Sequence, residues 1–144
     1  MYRNILVALD SSEIAARALR DAAELALALN ARLTIISVAP ELPSFAYRAG
    51  VDVRALEEKA QAEIEQLLRD AVDSLPEGLP ATTLLRRGHP GEEIVDQIKR
   101  GDHDLLVMGS RGRGRLTSNL FGSVAAYAHY HARVSMLVLH PQDD

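Results

Sequence analysis

The chain has 144 residues, 47% of them hydrophobic and 25% charged, with a net charge of −4, the balance of one globular domain with an ordinary core. It has no cysteine, which excludes a disulfide framework, a thiolate zinc site and a cysteine nucleophile, and makes a reducing cytoplasm the expected location. The acidic balance argues against non-specific attraction to nucleic acid, and no apolar run approaches the ~20 residues of a membrane span or forms a signal-peptide core after Met1.

Ile5 to Leu9 is an unbroken apolar run of strand length, and Asp10-Ser11-Ser12-Glu13 carries a turn and a helix cap. From Ser12 to Asn30, Ala15, Ala18, Leu19, Ala22, Leu25, Ala26 and Leu29 recur at helical spacing opposite Arg17, Arg20, Asp21 and Glu24, which predicts a first helix. Leu33 to Val38 predicts a second strand, and Pro40 and Pro43 an irregular loop to about Gly50. Leu56, Ala60, Ile64, Leu67, Ala71 and Leu75 predict a second long helix whose charges form a solvated face, ended by Pro76-Glu77-Gly78. Ala81 to Arg87 reads as strand three, Gly91 to Arg100 as a helix with Glu92 and Glu93 at its positive end, and Leu105 to Met108 as strand four. Ser123 to about Arg133 is the last helix and Ser135 to His140 the last strand.

Five strands alternating with four helices predict an α/β fold: a parallel sheet with helices on both faces, since parallel neighbours need crossover connections. If strands two and three extend one side of strand one and strands four and five the other, the order is 3-2-1-4-5. It then reverses between strands one and four, and ligands bind beyond the carboxyl ends of the strands at such a switch point. Asp10 ends strand one there. Strand four runs into Gly109-Ser110-Arg111-Gly112, followed after nine residues by Gly122-Ser123. A glycine-rich loop opening a helix is an anion cradle: glycines allow φ > 0 and close approach to a ligand, and the first N–H groups of the helix point at the same place. Arg111, Arg113 and Arg115 add guanidinium forks suited to phosphate, although the same loop also reads as a surface segment with solvated arginines. An acid and a phosphate cradle in one crevice point to a nucleotide.

These residues resemble the universal stress protein family from about Arg3 to Leu139. The shared features are an opening strand ending in Asp10, the Gly88-His89-Pro90 turn after strand three, and the closing Gly-x2-Gly-x9-Gly-Ser motif at Gly109, Gly112, Gly122 and Ser123. The resemblance implies a Rossmann-like single domain over residues 1–144 that binds ATP, ADP or AMP. It puts Ala8, Asp10 and Val38 around adenine and ribose, and Met108 and Gly109 near the ribose and first phosphate. Gly112, Gly122, Ser123 and Val124 then surround the phosphates, which can carry Mg2+; Arg111 joins this set on its own chemistry, as a guanidinium inside the loop. It also implies a homodimer paired through the last strand. Two departures are visible: Val134-Ser135-Met136 stands where relatives often have Cys-Pro-Val, and Ala126-Tyr127 where a charged residue commonly follows Gly-Ser-Val.

Other chemistry is weakly signalled. Lys59 and Lys99 follow no glycine loop, so there is no P-loop, and Asp10-Ser11-Ser12 is not a dinucleotide fingerprint. Met108 stands where a nucleophile elbow needs its first glycine, which argues against Ser110 as a nucleophile. His129 and His131 are two apart on a helix and face different ways, so they do not clamp a metal. His89 reads as a turn residue, and Ser110, Thr117 and Ser118 as loop caps or phosphate donors. Three readings follow: a dimeric nucleotide-dependent binding or signalling module with no catalytic residues, a slow ATPase, and a nucleotide-free module whose arginine loop meets an acidic partner or RNA.

Overall fold

The computed structural model describes residues 1–111 and 122–142. Its strands β1 (Asn4–Ala8), β2 (Arg32–Ala39), β3 (Ala81–Arg87), β4 (Leu105–Gly109) and β5 (Ser135–Leu139) form one parallel sheet in the order β3-β2-β1-β4-β5. β1 is central, with Ile5 opposite Leu33 on one side and Leu105 on the other. Its apolar run is continuous because both faces are covered.

Alternation along β1 divides the core. Ile5 and Val7 point to the face covered by α1 (Glu13–Leu29) and α3 (Val53–Asp73), whereas Leu6 points to the face covered by α4 (Pro90–Gly101) and α5 (Ser123–His131). Ala18 and Ala22 of α1 are wholly buried, and their small side chains let the helix lie close on the sheet. Leu6, Ile35 and Leu106 are also wholly buried, each worth about 1.5–3 kcal/mol relative to exposure.

The far end of the sheet is stitched by polar groups. Asn4 Nδ2 donates to the carbonyls of Gly101 (2.8 Å) and Asp102 (3.2 Å), while the Asp104 carboxylate accepts from the N–H groups of Arg3 (2.8 Å) and Asn4 (3.0 Å). Asp102 holds φ 53°, the left-handed conformation that ends α4 and turns the chain into β4. These bonds lock the start of β1 to the start of β4.

The predicted order is the observed one, with local corrections. The segment Pro40 to Gly50, expected to be irregular, contains a further helix, α2 (Ser44–Arg48), so five helices are described instead of four. Pro43 does not break structure there: its carbonyl accepts from Ala46 N–H at 2.9 Å, and its fixed φ suits a helix entry. α3 begins at Val53 because Asp52 caps Ala55 N–H at 3.1 Å. His89 is a helix cap as well as a turn residue, its Nδ1 accepting from Glu92 N–H at 3.2 Å. α5 ends at His131 because Ala132 is extended, and β5 ends at Leu139, one residue before the expected end.

Candidate functional site

The carboxyl ends of β1, β2 and β4 open into a cleft of about 920 Å³, within the size range of small-molecule sites. Ala8 and Asp10 enter it from the end of β1, Val38 from β2, and Met108 and Gly109 from β4. Arg111, Gly122, Ser123 and Val124 line the same wall. These nine residues and Ser110 therefore share one cleft, while Gly112, Arg113, Arg115, Thr117 and Ser118 lie outside the described residues.

Asp10 is held by a local turn. Its Oδ1 accepts from Ser12 N–H at 2.9 Å and from the Ser12 hydroxyl, and Ser12 Oγ accepts from Ala15 N–H at 3.2 Å to cap α1. One Asp-x-Ser sequence thus aims a carboxylate at the switch point and starts the helix behind it. Met108 is buried against Leu6, Ile36 and Ile94, so the cleft floor on that side is apolar.

The cradle is closed at its base by backbone. Ser110 N–H donates to the Leu139 carbonyl at 2.7 Å, and the Ser110 carbonyl accepts from Gly122 N–H. Ser110 itself is 1% exposed, which suits a structural residue better than a nucleophile presented to solvent. Gly122 then stands as the N-cap of α5, and Ser123 is the first helical residue. α1, α3 and α4 have side-chain caps from Ser12, Asp52 and His89, whereas among the described residues no side chain caps α5. The first-turn N–H groups and the positive end of its dipole are therefore presented to the cleft.

The expected role of glycine needs correction. Gly122 has φ −68° and ψ 162°, extended backbone open to any residue, and Gly109 is not among the positive-φ glycines. Space explains Gly109: a Cβ there would stand 2.8 Å from Ile14 Cγ2 of α1 and 3.2 Å from the Arg111 carbonyl oxygen. Positive φ is required instead at Gly88 (145°), just before the His89 cap.

The structure adds a wall from α3, part of whose charged face was expected to be solvated. Ile64 and Leu67 of α3 line the cleft together with Glu63, Gln66 and Asp70, and Pro40, Pro90 and Ile94 complete it. Gln66 is oriented there, donating to Asp70 Oδ1 at 2.8 Å and accepting from Arg69 Nη2 at 2.9 Å. The lining thus carries both signs of charge, with the start of α5 and Arg111 on one hand and the carboxylates of Asp10, Glu63 and Asp70 on the other. Among the described residues no group of three or more His, Cys, Asp or Glu is placed to hold a metal. His131 stacks on Tyr127 at 4.1 Å, and Tyr127 in turn faces His89 at 5.3 Å, outside this lining.

A doubly wound sheet with its cleft at the strand-order reversal defines an α/β protein of the Rossmann-like class, in which that crevice is the usual place for a ligand. A sequence model of the Universal stress protein family matches residues 1–140. The chain belongs to that family. Universal stress protein Sll1388 of Synechocystis sp. is 31% identical, the match covering 96% of this chain and 97% of that one. Among solved structures, universal stress protein UspA from Lactobacillus plantarum is similar at TM-score 0.82 and 25% identity, over 96% of this chain and 97% of that one. A universal stress protein in complex with cAMP matches at TM-score 0.72 and 24% identity over 98% and 99% of the two chains, and an Arabidopsis thaliana family protein with AMP bound at 0.68 and 24% over 99% and 94%. No helix among the described residues is long and apolar enough to cross a membrane.

Proposed function

We propose that this chain binds an adenine nucleotide, ATP or its ADP or AMP relatives, in the cleft beyond β1 and β4, and acts in the cytoplasm as a dimeric nucleotide-dependent binding or signalling module. The observation that carries the reading is the uncapped N-terminus of α5 opening into the cleft, where every other long helix has a side-chain cap. Unsatisfied N–H groups at a helix start favour phosphate oxygens without a dedicated side chain. The AMP and cAMP held by family structures support an adenine nucleotide as the phosphate's carrier.

In this reading Asp10 accepts from the ribose or base, Ala8, Val38 and Met108 provide apolar contact, and Gly109, Gly122, Ser123 and Val124 meet the phosphates with Arg111 beside them. Gly112 belongs to the same set by its motif position. Mg2+ enters on the phosphates. β5 is the outer strand of the sheet, with Ser135 and Leu137 exposed and Met136 and Val138 half-buried, an edge that pairing with a second copy would cover. Hydrolysis has no assigned base. A slow ATPase remains the second reading, distinguished by mass spectrometry of nucleotide released from freshly purified protein: intact ATP supports a binding module, mostly ADP or AMP an ATPase.

The deciding variant is Ser123→Pro. Proline is tolerated at the first helical position, and the extended Gly122 suits a residue before proline. The substitution removes one N–H from the cradle and should weaken ATP about tenfold by calorimetry, the scale of a hydrogen bond to a charged group, with the circular dichroism spectrum retained. Arg111→Ala should be milder, since a long side chain loses rotamer freedom when it clamps a ligand. Unchanged affinity in folded Ser123→Pro protein would remove the cradle assignment.

A further inference from the structure

His103 lies in the turn between α4 and β4, at the opposite end of β4 from the cleft, and is 8% exposed. Its Nε2 is 3.1 Å from Nε2 of Gln97, also 8% exposed. The orientation of that amide is fixed from the other side, because Arg86 Nη2 of β3 donates to Gln97 Oε1 at 2.9 Å. A guanidinium has no acceptor, so the amide oxygen must face Arg86 and the amide NH2 must face His103. An NH2 group only donates. His103 Nε2 must then carry a lone pair, and the ring proton sits on Nδ1, which is buried and closes no hydrogen bond. The pair sits over Gly101, where any side chain would collide with both ring and amide.

We propose that Arg86, Gln97 and His103 form an acid-released latch that joins β3, α4 and the start of β4 only while His103 is neutral. Protonation would put N–H on Nε2 against the Gln97 NH2, donor against donor. Relief requires the amide to rotate, which turns its NH2 toward Arg86 and breaks the link to β3. The surroundings are mixed: the Asn4 backbone carbonyl of β1, close enough to attract a ring N–H though not aligned as a full hydrogen bond to Nδ1, and the Asp104 and Asp102 carboxylates of its own turn favour a charged imidazole, while Arg32 on β2 opposes one. Both Asp104 oxygens are already engaged by Arg3 and Asn4 N–H groups, and the Asn4 carbonyl accepts from Asp104 N–H at 3.0 Å. Burial outweighs them and holds His103 below the ordinary histidine value.

The direction of the pH effect follows from linkage. At neutral pH and above, neither the folded nor the unfolded chain carries the proton, and the latch is fully closed. As pH falls through about 6.5, the unfolded chain takes up a proton that the native ring refuses, so stability falls until the lowered native value is reached.

The test is a histidine-ring 15N NMR titration from pH 8 to 4.5 with thermal unfolding over the same range, on the intact protein and on Gln97→Glu. A carboxylate at position 97 accepts from Arg86 and from Nε2–H of His103 together. In the intact protein the ring should be the Nδ1–H tautomer, titrate below the ordinary value, and lose several degrees of Tm toward acid. In Gln97→Glu its titration should move above the ordinary value and the acid loss shrink. The proposal is overturned if His103 is the Nε2–H tautomer or titrates at the ordinary value or above. Should Gln97→Glu not fold, the titration of the intact protein decides alone.

Discussion

Gly109→Val is expected to destabilise the protein by about 2 to 3 kcal/mol and to abolish nucleotide binding, the range for overpacking a filled site. The new Cβ would stand 2.8 Å from Ile14 Cγ2 and 3.2 Å from the Arg111 carbonyl oxygen. β4 has little freedom to retreat, being bonded to β1 on one side and β5 on the other. Ile14 is itself buried on α1, so the strain passes either to the helix behind the cleft or to the chain entering the cradle. Urea denaturation measures the first effect and calorimetry with ATP the second. The mechanism has its own signature: Gly109→Ala combined with Ile14→Ala should cost less than the sum of the two single changes. Strict additivity would show that Ile14 does not enforce glycine at this position.

Asp10→Ala should weaken nucleotide binding by about 1.5 to 3 kcal/mol, the loss of a hydrogen bond to a charged group. Its carboxylate already accepts from Ser12, so the variant also loosens the turn that starts α1. Ser12→Ala separates the two contributions, because it removes the helix cap, worth about 1 kcal/mol of stability, while leaving the carboxylate. Calorimetry on the pair should show affinity lost in Asp10→Ala and largely kept in Ser12→Ala. If Asp10→Ala bound normally and lost only turnover, the ATPase reading would replace the binding module.

Much of this arrangement is legible in the sequence because single patterns carry it. Continuous apolar runs at Ile5 to Leu9 and Leu105 to Met108, short and bounded by turn residues, read as strands buried on both faces, and the alanine stripe of α1 has one period. Strand order then follows from connection rules, and the order alone brings Asp10 and Gly109 together. What remained hidden depends on distances between segments far apart in the chain. Nothing in Glu63, Gln66 or Asp70 separates a cleft wall from a solvated helix face until α3 is laid beside β2. The need for glycine at position 109 comes from a side chain 95 residues away and not from its own backbone conformation. His103 carried no periodic signal, and its tautomer depends on a guanidinium from another strand. α2 is not legible because Pro43 punctuates a loop and opens a helical turn with the same fixed φ.

The hydrogen bond from Gly122 N–H to the Ser110 carbonyl ties together two residues that lie twelve positions apart in the chain. Each is also anchored on its own, Ser110 by the Leu139 carbonyl of β5 and Gly122 by the first turn of α5. Closing a longer loop costs only about 0.6 kcal/mol per doubling. Insertions or deletions between positions 112 and 121 should therefore cost little stability while Ser110 and Gly122 stay in register.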